Sequence, residues 1–321
     1  MRIVILDAES MHPSDLDLSS WCPADAELIQ FEHTAPKEVA ARLEGADVAI
    51  LNKVKIGSAE LALADRLKLI AVTATGTNNI DFTATRAAGV RVVNSVDYGT
   101  QSVVQHSLSL MFALSGNLIA YAKEVAEDRW ADSAHFCSLA HPINQINEKT
   151  LGIIGYGVLG RELARQARLL GMRVIVAQSV RAGAEVQSDR VALKTLVSEA
   201  DVISLHCPLT DDTRGLIGLA ELEAMKPDAL LINCARGGIV CEEALATVLN
   251  RGHLGGIGFD VLAEEPPKKN HPLISTFHPN VVITPHVAWG SRRARQTLVE
   301  QIGEDLAAFI AGNPLKREVE G

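Results

Sequence analysis

Arg236, Glu265 and His286 each follow a different apolar run in the second half of the chain: Ala229-Asn233, Gly256-Asp260 and Val281-Thr284. Each run reads as a parallel strand, so the three side chains stand beyond carboxyl-terminal strand ends, where open α/β sheets bind ligands. A guanidinium makes two parallel charge-assisted hydrogen bonds to a carboxylate, and Gly237-Gly238 after Arg236 presents it rather than burying it. A carboxylate beside a histidine favours the imidazolium, so Glu265 with His286 suits giving and taking a proton. The chemistry implied is capture of a small acid with proton transfer beside it. Taken singly, a solvated arginine, a loop histidine and an acid beside Pro266-Pro267 are ordinary surface residues. Their convergence on one sheet edge is what gives them meaning.

A second group is Gly155-Tyr156-Gly157-Val158-Leu159-Gly160, between the strand Leu151-Ile154 and the amphipathic helix Arg161-Leu170. The first glycine permits the tight turn, the second lets backbone approach a pyrophosphate, and the third packs helix on strand. Phosphates then lie on the free N–H groups of the helix start. Met172-Ala177 supplies the next strand at βαβ spacing, which makes this turn a dinucleotide site. At the end of that strand stands Gln178, where an acid commonly grips the ribose hydroxyls. Without it a 2′-phosphate is not repelled, and Arg181 is a nearby cation, so NADP or dual use is favoured over NAD alone.

These groups need sheets to position them. The first hundred residues alternate Ile3-Leu6, Lys37-Leu43, Val48-Leu51, Ala59-Ala64, Leu69-Val72 and Val90-Val93, an α/β unit without a glycine fingerprint. One long helix is expected from Ser102 to Glu127, then an irregular arm from Trp130 to Asn147 with exposed aromatic residues. The strands Leu151-Ile154, Val174-Ala177, Val202-His206, Ala229-Asn233, Gly256-Asp260 and Val281-Thr284 make a doubly wound parallel sheet. A last helix, Ser291 to Ala311, is spare and can return to the first domain. The expected fold is therefore two doubly wound α/β domains. A Rossmann-type nucleotide domain, 99–287, is inserted into a smaller flavodoxin-like substrate domain, 1–98 with 288–321, with the active site in the cleft between them.

With 321 residues, two cores are expected. No apolar run reaches membrane-spanning length and the start is not a signal peptide, so a cytoplasmic protein without membrane partners is expected. The five cysteines have neither zinc-ligand nor redox spacing, and no metal site is expected. The net charge of -9 disfavours nucleic acid as a partner.

Arg236, Glu265 and His286, with the mid-chain glycine turn and Asn233-Cys234-Ala235-Arg236-Gly237, resemble the D-isomer-specific 2-hydroxyacid dehydrogenases over nearly the whole chain. Gly76-Thr77-Asn78-Asn79-Ile80-Asp81, Tyr98-Gly99-Thr100, Gln105-His106 and His286-Val287-Ala288-Trp289 are most similar to the glycerate dehydrogenase or hydroxypyruvate reductase branch. The resemblance implies hydride exchange between NAD(P)H and a small 2-oxo or 2-hydroxy acid. It implies that Arg236 holds the substrate carboxylate, His286 moves the proton and Glu265 orients His286. Lys53, Thr75, Gly76 and Thr77 are implied as substrate contacts. Gly155, Tyr156, Gly157, Val158, Leu159, Gly160, Cys207, Pro208, Cys234, Ala235, Asp260 and His286 are implied as cofactor contacts. It also implies a homodimer, to which the aromatic arm contributes. A nucleotide-sensing transcriptional corepressor shares this fold, as do formate, phosphite and phosphoglycerate dehydrogenases. The sequence shows no long extension, regulatory domain or phosphate-binding arginine cluster in the first domain, which favours the small unphosphorylated acids.

Overall fold

A computed structural model describes every residue except Ala182, Thr276, Phe277 and Gly321, so the expected limit at Gly321 lies outside the described residues. The strands are β1 (Arg2–Ile5), β2 (Glu27–Gln30), β3 (Val48–Leu51), β4 (Leu69–Val72), β5 (Arg91–Val93), β6 (Thr150–Ile154), β7 (Arg173–Val176), β8 (Val202–Leu205), β9 (Leu230–Asn233), β10 (Gly256–Phe259) and β11 (Val281–Ile283). The helices are α1 (Val39–Leu43), α2 (Ser58–Leu61), α3 (Phe82–Ala87), α4 (Thr100–Ser115), α5 (Leu118–Ala126), α6 (Val158–Leu169), α7 (Leu193–Glu199), α8 (Leu219–Ala224), α9 (Glu242–Asn250) and α10 (Arg292–Ile310). They form two compact units, Met1–Gly99 with Gly290–Gly321, and Thr100–Trp289.

The first unit is a parallel sheet in the order β2-β1-β3-β4-β5. Its inner strands β3 and β4 read as unbroken apolar runs because both faces are covered. Val4, Ala49, Leu51, Ile70 and Val72 pack with Val39 and Leu43 of α1. Ile3, Ile5, Val48, Ile50, Leu69 and Val93 pack on the other face with Trp21 and with Leu298, Val299, Ile302 and Leu306 of α10. The Trp21 indole N–H donates to the Val299 carbonyl at 2.9 Å, so the last helix is both packed and hydrogen-bonded into this unit. Strand β2, not expected from sequence, is an edge strand whose only apolar residues, Leu28 and Ile29, are half-buried between exposed Glu27 and Gln30.

The second unit is a parallel sheet in the order β11-β10-β9-β8-β6-β7. Helices α7, α8 and α9 cover one face through Leu196, Leu222, Leu245 and Val248 against Ile203, Leu231 and Ile257. Helices α4 and α6 cover the other through Val104, Met111, Leu163 and Ala167 against Leu151, Ile153, Val202 and Ile232. The strand order reverses between β6 and β8, the switch point at which doubly wound sheets open a crevice.

One expected element is corrected. The helix read from Ser102 to Glu127 is two, α4 and α5, bent by 62° at their junction. Asn117 there takes a left-handed backbone (φ 49), which an α-helix cannot continue through, and its amide donates to the Pro142 carbonyl at 2.6 Å. Among the described residues no single helix is long and apolar enough to cross a membrane.

Candidate active site

The glycine turn follows β6 at the switch point. Gly155 has φ 94, and a Cβ there would lie 2.5 Å from the backbone of His206 and Cys207, so the turn is pressed onto the end of β8. A Cβ on Gly160 would lie 2.2 Å from the Gly155 carbonyl oxygen. Packing of the protein itself therefore demands these two glycines. Gly157 differs: a Cβ there would meet nothing within 4 Å. It is the N-cap of α6 and offers no side chain, so the first N–H groups of that helix carry no side-chain cap. That arrangement fits a pyrophosphate.

Around this turn, Tyr156 and Leu159 are half-buried against the α4–α6 core, and Val158 is exposed. Gln178 spends its amide on the chain: Nε2 donates to the carbonyls of Gln187 (2.7 Å) and Arg190 (3.2 Å), and Oε1 accepts from the Gln187 N–H at 3.1 Å. Arg181 is exposed, its backbone N–H donating to Ser179 Oγ. Burial pushes the Cys207 thiol up and the Cys234 thiol up to about 12, so both are neutral lining at physiological pH. Desolvation holds His206 down to about 4; its ring is neutral and shares a 2.9 Å hydrogen bond with Ser204 Oγ. Ala235 is buried, while Pro208 is exposed with its carbonyl accepting from Thr213 Oγ1.

Strands β9, β10 and β11 are adjacent and in register, Asn233 beside Phe259 and Phe259 beside Ile283. Arg236 leaves β9 on a turn pinned by buried Asn233, whose Oδ1 accepts from the Ala235 N–H (3.0 Å) and whose Nδ2 donates to the Arg236 carbonyl (2.9 Å). The exposed guanidinium keeps one donor on the Ala235 carbonyl at 2.7 Å. A Cβ on Gly237 would sit 1.9 Å from the Leu262 carbonyl oxygen, so this turn lies directly on the loop that carries Glu265. We expect Gly237→Ala to displace that loop and lower turnover by about tenfold or more through misplacement alone, with far-UV circular dichroism unchanged. Wild-type turnover would show that the contact yields without moving Glu265.

Glu265 is fixed at one oxygen by the Leu262 N–H (2.9 Å), and its other oxygen lies 2.7 Å from His286 Nδ1. With the ring proton at Nδ1 donated to this carboxylate, Nε2 is left to exchange a proton. His286 has φ 55, a conformation costing a non-glycine residue on the order of 1–3 kcal/mol unless its surroundings impose it. Buried Asp260 imposes it: its carboxylate accepts from Thr284 Oγ1 (2.6 Å) and from the N–H groups of Val287 (2.9 Å) and Ala288 (2.8 Å). The Trp289 indole donates to the His286 carbonyl at 3.0 Å, Ser102 Oγ donates to the Ala288 carbonyl at 2.6 Å, and His106 Nε2 lies 2.8 Å from Thr284 Oγ1. Glu242 braces the Glu265 loop, accepting from the Ala263 N–H (2.8 Å) and lying 2.9 Å from His271 Nε2. Sequence reasoning missed Glu242 and His271, whose separations from their partners carry no local signal. It quoted His106 and Trp289 without a task; both brace the His286 turn.

In the first unit, Lys53 follows β3 on a turn held by Asp7, whose carboxylate accepts from the N–H groups of Asn52 (2.8 Å) and Lys53 (2.7 Å). The Lys53 side chain is exposed. Thr75, Gly76 and Thr77 follow neighbouring β4; Thr75 Oγ1 donates to the Ser95 carbonyl and the Thr77 carbonyl accepts from the Ile80 N–H.

A model of the D-isomer specific 2-hydroxyacid dehydrogenase NAD binding domain matches residues 108–288. Glycerate dehydrogenase of Methylorubrum extorquens is 42% identical over 98% of this chain and 97% of its own length. Hydroxypyruvate reductase of Blautia hydrogenotrophica is 32% identical over 98% of both chains. Among solved structures, an acyclic imino acid reductase in complex with NADPH and D-Arg superposes with a TM-score of 0.83 at 28% identity, covering 99% of this chain and 100% of that one.

Proposed function

Because the chain belongs to the D-isomer-specific 2-hydroxyacid dehydrogenase family and is an NAD(P)-dependent oxidoreductase, we propose that its substrates are glyoxylate or hydroxypyruvate, reduced to glycolate or D-glycerate. The observation that carries the reading is the 2.7 Å pairing of His286 Nδ1 with Glu265 beyond the strand ends that also present Arg236. When bound, the nicotinamide supplies or accepts the hydride. Arg236 holds the substrate carboxylate with its fork and polarises the oxo oxygen. His286 gives that oxygen a proton in reduction and takes one in oxidation, while Glu265 orients the ring and stabilises its cation. Asp260 contributes to the nicotinamide side as well as to the His286 turn. In the first unit, which we read as the substrate domain, Lys53 and the N–H groups of Thr75, Gly76 and Thr77 are the carboxylate contacts.

The relatives named glycerate dehydrogenase and hydroxypyruvate reductase match over nearly the full chain, which supports a small unphosphorylated acid. The absence of an acid at Gln178 supports NADP or dual use. Initial rates with glyoxylate, hydroxypyruvate, pyruvate and phosphohydroxypyruvate, each with NADH and NADPH, test both points. We expect the highest kcat/KM for one of the first two, with NADPH at least equal to NADH. A preference for pyruvate or for the phosphorylated acid overturns the substrate assignment.

The arm after α5 carries Trp130, Phe136, Leu139 and Ile143, all exposed, with Phe136 91% accessible. It is tied to α5 by the Tyr121 hydroxyl, which donates to the His141 carbonyl at 2.7 Å. Apolar residues held out in this way mark an interface, and we propose that it builds a homodimer. Light scattering at micromolar concentration should give twice the chain mass, and Phe136→Asp should shift it towards the monomer. A monomeric wild type refutes the assignment.

A further inference from the structure

Gln178 ends the second strand of the nucleotide fold, and what it holds beside it is a second arginine. Ala177 bridges Val191 in parallel, the Gln178 N–H donates to the Val191 carbonyl at 2.8 Å, and the Gln178 amide closes the segment through Gln187 and Arg190. The chain thus returns along the end of β7 and sets Arg190 next to position 178. The Arg190 guanidinium carbon lies 5.7 Å from the ring centroid of Tyr156, the residue between the first two glycines of the phosphate turn. Its Nε is buried and has no hydrogen-bond partner among the described residues. The protein alone therefore leaves this guanidinium short of a partner. Arg181, by contrast, is exposed.

We propose that Arg190, held over Tyr156 and beside Gln178, is the cation that receives the 2′-phosphate of NADPH and so sets the cofactor preference. The inference rests on the dinucleotide-site reading and refines it. Its cation is not the one nearest in sequence to β7, Arg181, but the one that the Gln178 amide brings back to the end of the strand. A phosphomonoester at the ribose 2′ position lies at the end of this strand in such folds, and a planar guanidinium suits its oxygens.

The test is binding, not turnover. Titration calorimetry with adenosine 2′,5′-bisphosphate and with adenosine 5′-monophosphate (AMP), on the full chain, isolates what the 2′-phosphate adds. We expect wild type to bind the bisphosphate more tightly than AMP, and Arg190→Ala to weaken it by about tenfold to a hundredfold, the worth of a charged hydrogen bond, with AMP affinity nearly unchanged. Arg181→Ala should change neither by more than about twofold, as for an exposed charge. Should Arg190→Ala fold poorly, Arg190→Met keeps the stem over Tyr156 and reads the same difference. Equal loss of both ligands on removing the charge means that Arg190 only packs the turn, and loss of the 2′-phosphate advantage in Arg181→Ala alone moves the role to that residue. Either result overturns the proposal, as does a wild type that binds AMP without preferring the bisphosphate. If wild type binds neither ligand, the dinucleotide-site reading itself fails.

Discussion

His286→Ala is expected to lower turnover in both directions by about two to four orders of magnitude, the usual contribution of a positioned general acid, while NAD(P)H affinity stays close to wild type. The separation follows from the geometry: the ring bonds to Glu265, whereas the glycine turn and the start of α6 depend on Gly155 and Gly160. Stopped-flow turnover alongside fluorescence titration of the reduced cofactor checks it. Parallel loss of affinity and turnover would mark His286 as structural.

Arg236→Lys carries the second large effect. Lysine keeps the charge but loses the planar fork, and with it both the paired hold on a carboxylate and the donor aimed at the oxo oxygen. Loss of one such preorganised donor costs about a hundredfold to a thousandfold, and we expect kcat/KM for the 2-oxo acid to fall by that order. The turn should survive, because Asn233 holds it through backbone groups that the substitution leaves in place. A near-wild-type kcat/KM would remove Arg236 from the substrate site. A fall confined to KM would keep it as a binding residue without a part in polarising the carbonyl.

Much of this protein is written in short-range terms that a linear sequence carries. Apolar runs such as Val48–Leu51 and Leu230–Asn233 declare buried parallel strands, since strands covered on both faces need no alternation. Gly155 and Gly160 declare the tight strand-to-helix turn because no side chain fits where they stand, and Arg236, Glu265 and His286 reveal a shared sheet edge because each follows a strand. Other features depend on which strands become neighbours, and sequence spacing does not state that. The bond from Glu265 to His286 and the Asp260 clamp on Val287 and Ala288 exist only once β10 and β11 lie in register. The bend between α4 and α5 is set by Asn117 in a left-handed conformation, which the apolar pattern running through it conceals. The reach of Gln178 to Gln187 and Arg190 is decided by the return of the chain at Val191, which brings an arginine twelve positions on from Gln178 to lie over Tyr156 of the glycine turn. Local conformational preference determines the elements and the special glycines. Hydrogen bonds between residues distant in the chain orient the chemistry, and only the packed sheet brings their partners within reach.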